Sequence, residues 1–361
     1  MNRQWRRAAI GAVAMIIASA GQPASRPRLM AAGEGEPQAP ARLSDTGLYV
    51  PGQANVVDRR NRPFSPQYPL WSDGATKTRW VFLPPGKTID VRDDAAWEFP
   101  VGTRFWKEFS FAGRKVETRM LWKATPSRWV TVSYLWNEAQ TDAMLASDRG
   151  EPGVVALAPN RGHSIPSTND CLACHGGKRT EPLGFNPLQL STDRDPNAIH
   201  GEPLPAGALT LRTLVEEQLV SPARRDFIAT PPRIRSASAA TRSMLGYFAG
   251  NCGSCHRGDG EIAPRLPSLR FSDLLGDGDA VARTLVGRST AWQVPDAGED
   301  GSVAIDPGQP NTSAMFVRMR SRNPSSQMPP LGTVLRDQAA VDALSRWITG
   351  DLAAPAHERR F

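Results

Sequence analysis

Two short stretches, "STNDCLACHGG" at residues 167–177 and "GNCGSCHRGDG" at 250–260, hold all four cysteines of the chain. Each places two thiols around a two-residue gap, with a histidine directly after the second: Cys171, Cys174 and His175, then Cys252, Cys255 and His256. Two tight disulfides would use the thiols and leave both histidines unexplained. A thioredoxin-like motif needs a βαβ pattern, which surrounds neither site. A zinc site made of all four cysteines would join pairs 81 positions apart (171 to 252) and again leave the histidines idle. C-x-x-C-H is the attachment spacing for haem c. The two thiols add to the two vinyl groups of one porphyrin, and the adjacent histidine lies under the iron as proximal ligand. Two copies with no cysteine to spare point to two covalently bound haems.

The N-terminus agrees with that chemistry. "MNRQWRRAAIGAVAMIIASAGQP" opens with Arg3, Arg6 and Arg7 and continues with a short apolar run, Ala8 to Ala20. Ala18-Ser19-Ala20 has the small-x-small form of a signal-peptide cleavage site. The run is too short to span a bilayer as a mature helix. A retained anchor is the alternative. The residues after Arg6-Arg7 do not support a twin-arginine signal, and no cysteine follows the run to carry a lipid. Residues 1–20 therefore read as a signal peptide cleaved near Ala20. The mature chain is expected in the periplasm, without a transmembrane anchor.

The formal charge of +7 falls to +4 when three leader arginines are removed, and the four propionates of two haems would offset that. No nucleic-acid footprint remains. The 31 glycines and 32 prolines imply many turns.

Residues 21–43 are small, Pro-rich and unpatterned, as in a flexible linker. Residues 44–160 differ in kind. Seven of the ten tryptophans lie between Trp71 and Trp136. Val130, Val132, Tyr134 and Trp136 alternate with Thr131, Ser133 and Leu135, and "TRFWKEFSFAG" and "KVETRMLW" are also strand-like, with turn signals between the runs. A β-sandwich-like domain or small barrel is expected. From residue 161 the texture changes to loops and short helices: 161–239 carries the first attachment motif, 240–352 the second. "LTLRTLVEEQLV" places Leu211, Leu214, Val215 and Leu219 on one helical face. Near the end Val341, Leu344 and Ile348 form a stripe beside Trp347, with Asp337 as N-cap and Gly350 as stop.

The second haem needs a sixth ligand. In "PSSQMPPLG", Met328 lies 72 positions after His256 and is followed by two prolines, which stiffen the loop. A methionine filling core space is the plain alternative. The order helix, C-x-x-C-H, long loop, Met-Pro-Pro, terminal helix resembles the class I cytochrome c domain over residues 240–352. That resemblance implies Cys252 and Cys255 as thioether links and His256 and Met328 as axial ligands. It also implies Tyr247 or Phe248 against Trp347 where the first and last helices cross. Met/His ligation favours electron transfer. The first haem has no such loop methionine. Candidates for its sixth position are His200, His163 and Met244; a vacant position is the other possibility.

"YPLWSDGATKTRWVFLPPGKTIDV", "WEFPVGTRFWKEFSF", "VETRMLW" and "IPSTNDCLACHGGKRTEPLGFNPLQLS" together resemble a family of exported bacterial dihaem c-type cytochromes with a β-rich N-terminal region. The resemblance spans residues 65–350 and implies mainly α-helical cytochrome c-type haem domains after the β-rich one. It implies no substrate. Asp73, Asn137, Gln140 and Asp142 are a possible polar site in the β-rich domain, against the plainer reading of turn and strand-end hydrogen bonding. The leading expectation is electron transfer between redox partner proteins, a dehydrogenase and a terminal acceptor. A dihaem peroxidase or oxidase with an open first haem is the second. A ligand- or partner-binding β-domain tethered to a redox module is the third.

Overall fold

The computed structural model describes residues 37–53, 55–175, 182–257, 268–295 and 301–353. The signal peptide and most of the expected linker lie outside these. Nine strands come first: β1 (Arg62–Pro63), β2 (Thr76–Phe82), β3 (Ile89–Asp90), β4 (Arg104–Phe111), β5 (Arg114–Lys123), β6 (Trp129–Trp136), β7 (Ala143–Leu145), β8 (Glu151–Ala158) and β9 (Arg161–Ile165). Six form one antiparallel sheet in the order β1-β2-β4-β5-β6-β7. The alternation that marks them as strands sorts their side chains onto two faces. Trp106, Met120 and Tyr134 are buried on one, and Val81, Phe105 and Leu121 on the other.

Both faces are covered, but not by a second sheet. Leu43, Leu48 and Tyr49 cover the first face. Phe185, Leu190, Leu209, Leu211, Leu214 and Phe227 cover the second. The expected sandwich is thus replaced by one sheet packed between loops and short helices. Period-2 alternation says which residues share a face; it says nothing of what covers that face. The expected linker also ends early. Leu43 is fully buried, Arg42 bridges to Met144, and the Pro40 carbonyl accepts a hydrogen bond from the Tyr134 hydroxyl at 2.9 Å. Residue 160 falls inside the antiparallel β8–β9 pair, so the core does not divide there.

The expected mainly α-helical haem domains are not evident: among the described residues the remainder is mostly loop, with short helices α1 (Thr168–His175), α2 (Leu211–Glu216), α3 (Asp226–Ala229), α4 (Ala239–Asn251), α5 (Phe271–Leu274), α6 (Gly278–Leu285), α7 (Ala314–Arg320) and α8 (Gln338–Thr349). A short strand, β10 (Val220–Ser221), runs parallel to β3 and pairs Val220 with Ile89. α4 starts at Ser238, whose side chain accepts from the Thr241 N–H. α8 starts at Asp337, which accepts from the Ala340 N–H. Each cap satisfies one of the donors a helix start leaves open. The two helices pack together. The Phe248 and Trp347 rings meet edge-on with centroids 6.2 Å apart, and the Trp347 indole donates to Thr241 Oγ1 at 2.8 Å.

α4 also lies directly on the chain near β1. A β-carbon at Gly246 would come within 2.1 Å of the Tyr68 ring, and one at Gly250 within 2.4 Å of the Tyr68 carbonyl oxygen. Only glycine permits this approach. Asn251 fixes the helix end: it accepts from the Trp71 N–H at 2.8 Å and donates to the Pro69 carbonyl at 3.3 Å.

Candidate functional site

α4 ends at Cys252, and a tight turn brings the His256 N–H onto the Cys252 carbonyl at 2.9 Å. Cys252, Cys255 and His256 line an apolar cavity, and Met328 and its two prolines line it too. The Met328 loop is pinned. Its N–H donates to the Arg318 carbonyl at 3.0 Å, and Arg318 Nε donates to the Ser326 carbonyl at 3.0 Å. The Arg318 guanidinium sits 5.3 Å over the Trp292 ring, also at the cavity. Burial, then the nearby Arg318 charge, lowers the His256 pKa, which favours the neutral imidazole that a metal requires. His256 Nδ1 is buried without a hydrogen-bond partner among the described residues. Met315 and Met319, on α7, reach the same cavity; the sequence did not single them out.

These residues fit a covalently bound haem. Two thiols, an imidazole and a thioether converge on one apolar space, and the orphaned imidazole nitrogen shows a side chain not held by protein contacts alone.

The first motif lies on α1, which Ser167 and Asp170 cap by mutual hydrogen bonds. Cys171 is buried; Cys174 and His175 are half-buried. The four cysteines are free. Cys255 Sγ lies 4.0 Å from the Ala173 carbonyl oxygen, next to Cys174. The two attachment motifs therefore abut. Residues 176–181, which follow His175, lie outside the described residues.

The three candidates for the first haem's sixth position all have other partners. Met244 is 1% exposed and packs in the core with Leu245 and Phe248. His200 Nε2 bonds both oxygens of Asp337 at 2.8 and 2.9 Å, and Tyr247 donates to the same carboxylate at 3.0 Å. His163 is held at both ring nitrogens: Nδ1 to Asp73 at 3.2 Å and Nε2 to Glu117 at 3.0 Å.

The His163 contacts belong to a buried charged chain. Asp73, in a left-handed turn (φ 53°), accepts the backbone N–H groups of Val334 and Leu335 at 2.8 and 2.9 Å, just beyond the Met328 loop. Glu117 is fully buried and bonds Arg119 at 2.6 Å. Burial works against a charged His163, but hydrogen bonds to Asp73 and Glu117 outweigh it and the pKa is raised, with Arg119 opposing weakly. Burial likewise opposes charge on Glu117, but Arg119 and His163 hold its pKa low. Phe109 and Phe111 flank the imidazole. Asn137, Gln140 and Asp142 make turn and strand-end hydrogen bonds instead, the plainer of the two expectations for them.

A pH dependence follows. Because the folded pKa of His163 is raised, its contribution is complete below its ordinary value of about 6.5. The contribution disappears as pH rises through the folded value. His163→Gln leaves two buried carboxylates without a cation between them and is expected to cost about 3 kcal/mol at pH 6. The melting temperatures of wild type and variant should converge as pH rises above that of His163. A constant gap from pH 6 to 9 would show that the imidazole is uncharged.

Against known proteins, residues 285–332 match the model of the family described as Planctomycete cytochrome C. The match begins after the second C-x-x-C-H and contains Met328. No curated protein and no solved structure matches the chain. The chain thus contains a cytochrome c-type region behind a β-rich N-terminal region, and such a region implies covalently bound haem c and, at that level, electron transfer. No helix among the described residues is long and apolar enough to cross a membrane.

Proposed function

We propose that this chain is a periplasmic dihaem c-type cytochrome that relays single electrons between a donor dehydrogenase and a terminal acceptor. The observation that carries the reading is the convergence of Cys252, Cys255, His256 and Met328 on one apolar cavity. In it the two thiols would anchor the porphyrin edge, and His256 and Met328 would close both axial positions. A haem so ligated cycles between ferric and ferrous states and leaves no open site for oxygen chemistry. The chain's own residues keep the pocket dry, hold the thioether on a pinned loop and place Arg318 at the cavity. The approach of Cys255 to the Ala173 carbonyl, between Cys171 and Cys174, supports a second haem close enough for rapid exchange with the first. The signal peptide over residues 1–20 remains part of this reading.

One observation favours the second reading, a peroxidase- or oxidase-type enzyme. His163, His200 and Met244 are each engaged elsewhere, which supports an open sixth position on the first haem. Two measurements test the pair. The intact mass of protein exported with the maturation machinery should exceed that of the mature chain by two haems; a mass equal to the bare chain would sink both readings. EPR of the ferric protein should then show two low-spin haems for a relay, or one high-spin haem for an enzyme.

A further inference from the structure

We propose that a row of cations on the inner face of the sheet seats the two propionates of the first haem. The inference rests on the dihaem reading above. Strand register places Arg79, Lys107, Arg119 and Ser133 side by side on β2, β4, β5 and β6, each about 4.8 Å from the next. Lys77 lies on the same face, two residues from Arg79. Two of the four cations are matched by carboxylates: Arg79 by Glu202 and Arg119 by Glu117. Lys77 bonds only the neutral Leu70 carbonyl, at 2.7 Å. The Lys107 ammonium has no hydrogen bond or ion pair to a described residue and lies 4.9 Å from the Phe109 ring centroid. Among the described residues, Lys77 and Lys107 are thus the two cations of this face without a carboxylate partner.

Unmatched enclosed cations are costly. Burial and then neighbouring arginines lower Lys77 to about 8, and burial with Arg79, Lys77 and Arg119 depresses Lys107 further. An anion with two negative charges would relieve both. A cleft open to solvent is lined by Arg79, Lys107, Asp94 and Trp97 and by Gly253 and Ser254 of the second attachment turn. Trp97 Nε1 and Ser133 Oγ are buried with no partner among the described residues, leaving hydrogen-bonding capacity unused near the row. At the row's other end, α1, which carries Cys171 and Cys174, packs against β6. A porphyrin tethered at those thiols and lying along the sheet would carry its two carboxylates over the unmatched lysines.

The test uses full-length, haem-loaded protein with Lys77→Gln, Lys107→Gln and both together. Lys115→Gln is the control, since Lys115 pairs with Glu108 and packs on Trp136 at the opposite face. Intact mass counts the haems. A potentiometric titration resolves them, the second marked by its thioether charge-transfer band. Each lysine removed should shift the ferric/ferrous ratio of the first haem about tenfold toward ferric, about 59 mV for one electron. The second haem and the control should not move. Loss of the first haem alone in the double variant would also support the seat. A full haem count with the first haem's potential matching the control overturns it. A saturable shift of that potential with inorganic phosphate in wild type overturns it too, because the row would then be open to free anions. Wild type with one haem refutes the dihaem reading itself and the seat with it.

Discussion

Met328→Ala should abolish the weak sulfur-to-iron charge-transfer absorption of the ferric protein and lower the potential of the second haem. Water or hydroxide would replace the thioether and stabilise ferric iron. The fall should be a sizeable fraction of the roughly 0.8 V that axial ligands span. Stability should change little, by about 1 kcal/mol, because Met328 is only half-buried and its loop is held by backbone bonds to Arg318. Met244→Ala should do the opposite: leave the spectrum intact and destabilise the core by about 2–5 kcal/mol. Met319→Ala distinguishes the other thioether at the cavity. If the band survives Met328→Ala and disappears in Met319→Ala, the ligand lies on α7 and the loop reading fails.

Residues 44–160 expressed alone should lack a cooperative urea transition, and residues 38–234 should restore one. The second face of the sheet is covered by Phe185, Leu190, Leu209, Leu211, Leu214 and Phe227, all beyond the cut. At roughly 1.5–3 kcal/mol for each buried side chain, their loss removes on the order of 10 kcal/mol. That equals the whole stability of an ordinary domain. The cut also splits β8 from β9 and β3 from β10. A cooperative melt of 44–160 would mean that the first face, covered there by Leu48 and Tyr49, suffices by itself.

Much of this was legible before any coordinates. The thiols and histidines carry their chemistry in their spacing, and Met-Pro-Pro marks a stiff loop wherever it stands. Strands β4 to β6 follow from alternation, and α8 from its stripe and its Asp337 cap. What escaped was long-range. Glu117 and Arg119 alternate with Val116, Thr118 and Met120, which locally describes a strand with a wet face. Only closure by chain many residues away turns that face into an interior. Glu117 and Arg119 therefore carry no local sign of burial, and nothing near His163 in sequence announces its two carboxylate partners. Asp73 stood out as polar among aromatics, but its partners at 163, 334 and 335 share no local pattern with it.

The glycine face of α4 bears on how such a protein can be taken apart and recombined. A small cytochrome cassette is portable when its helices present finished surfaces on every side. Here the helix that delivers the second attachment site has given up its side chains at Gly246 and Gly250 to make room for Tyr68, and its last residue is bonded to Pro69 and Trp71. Lifted out, it would expose a bare stripe of backbone; moved to another host, it would need a partner shaped like the Tyr68 segment. The second attachment helix and the Tyr68 segment are therefore expected to be exchangeable only together.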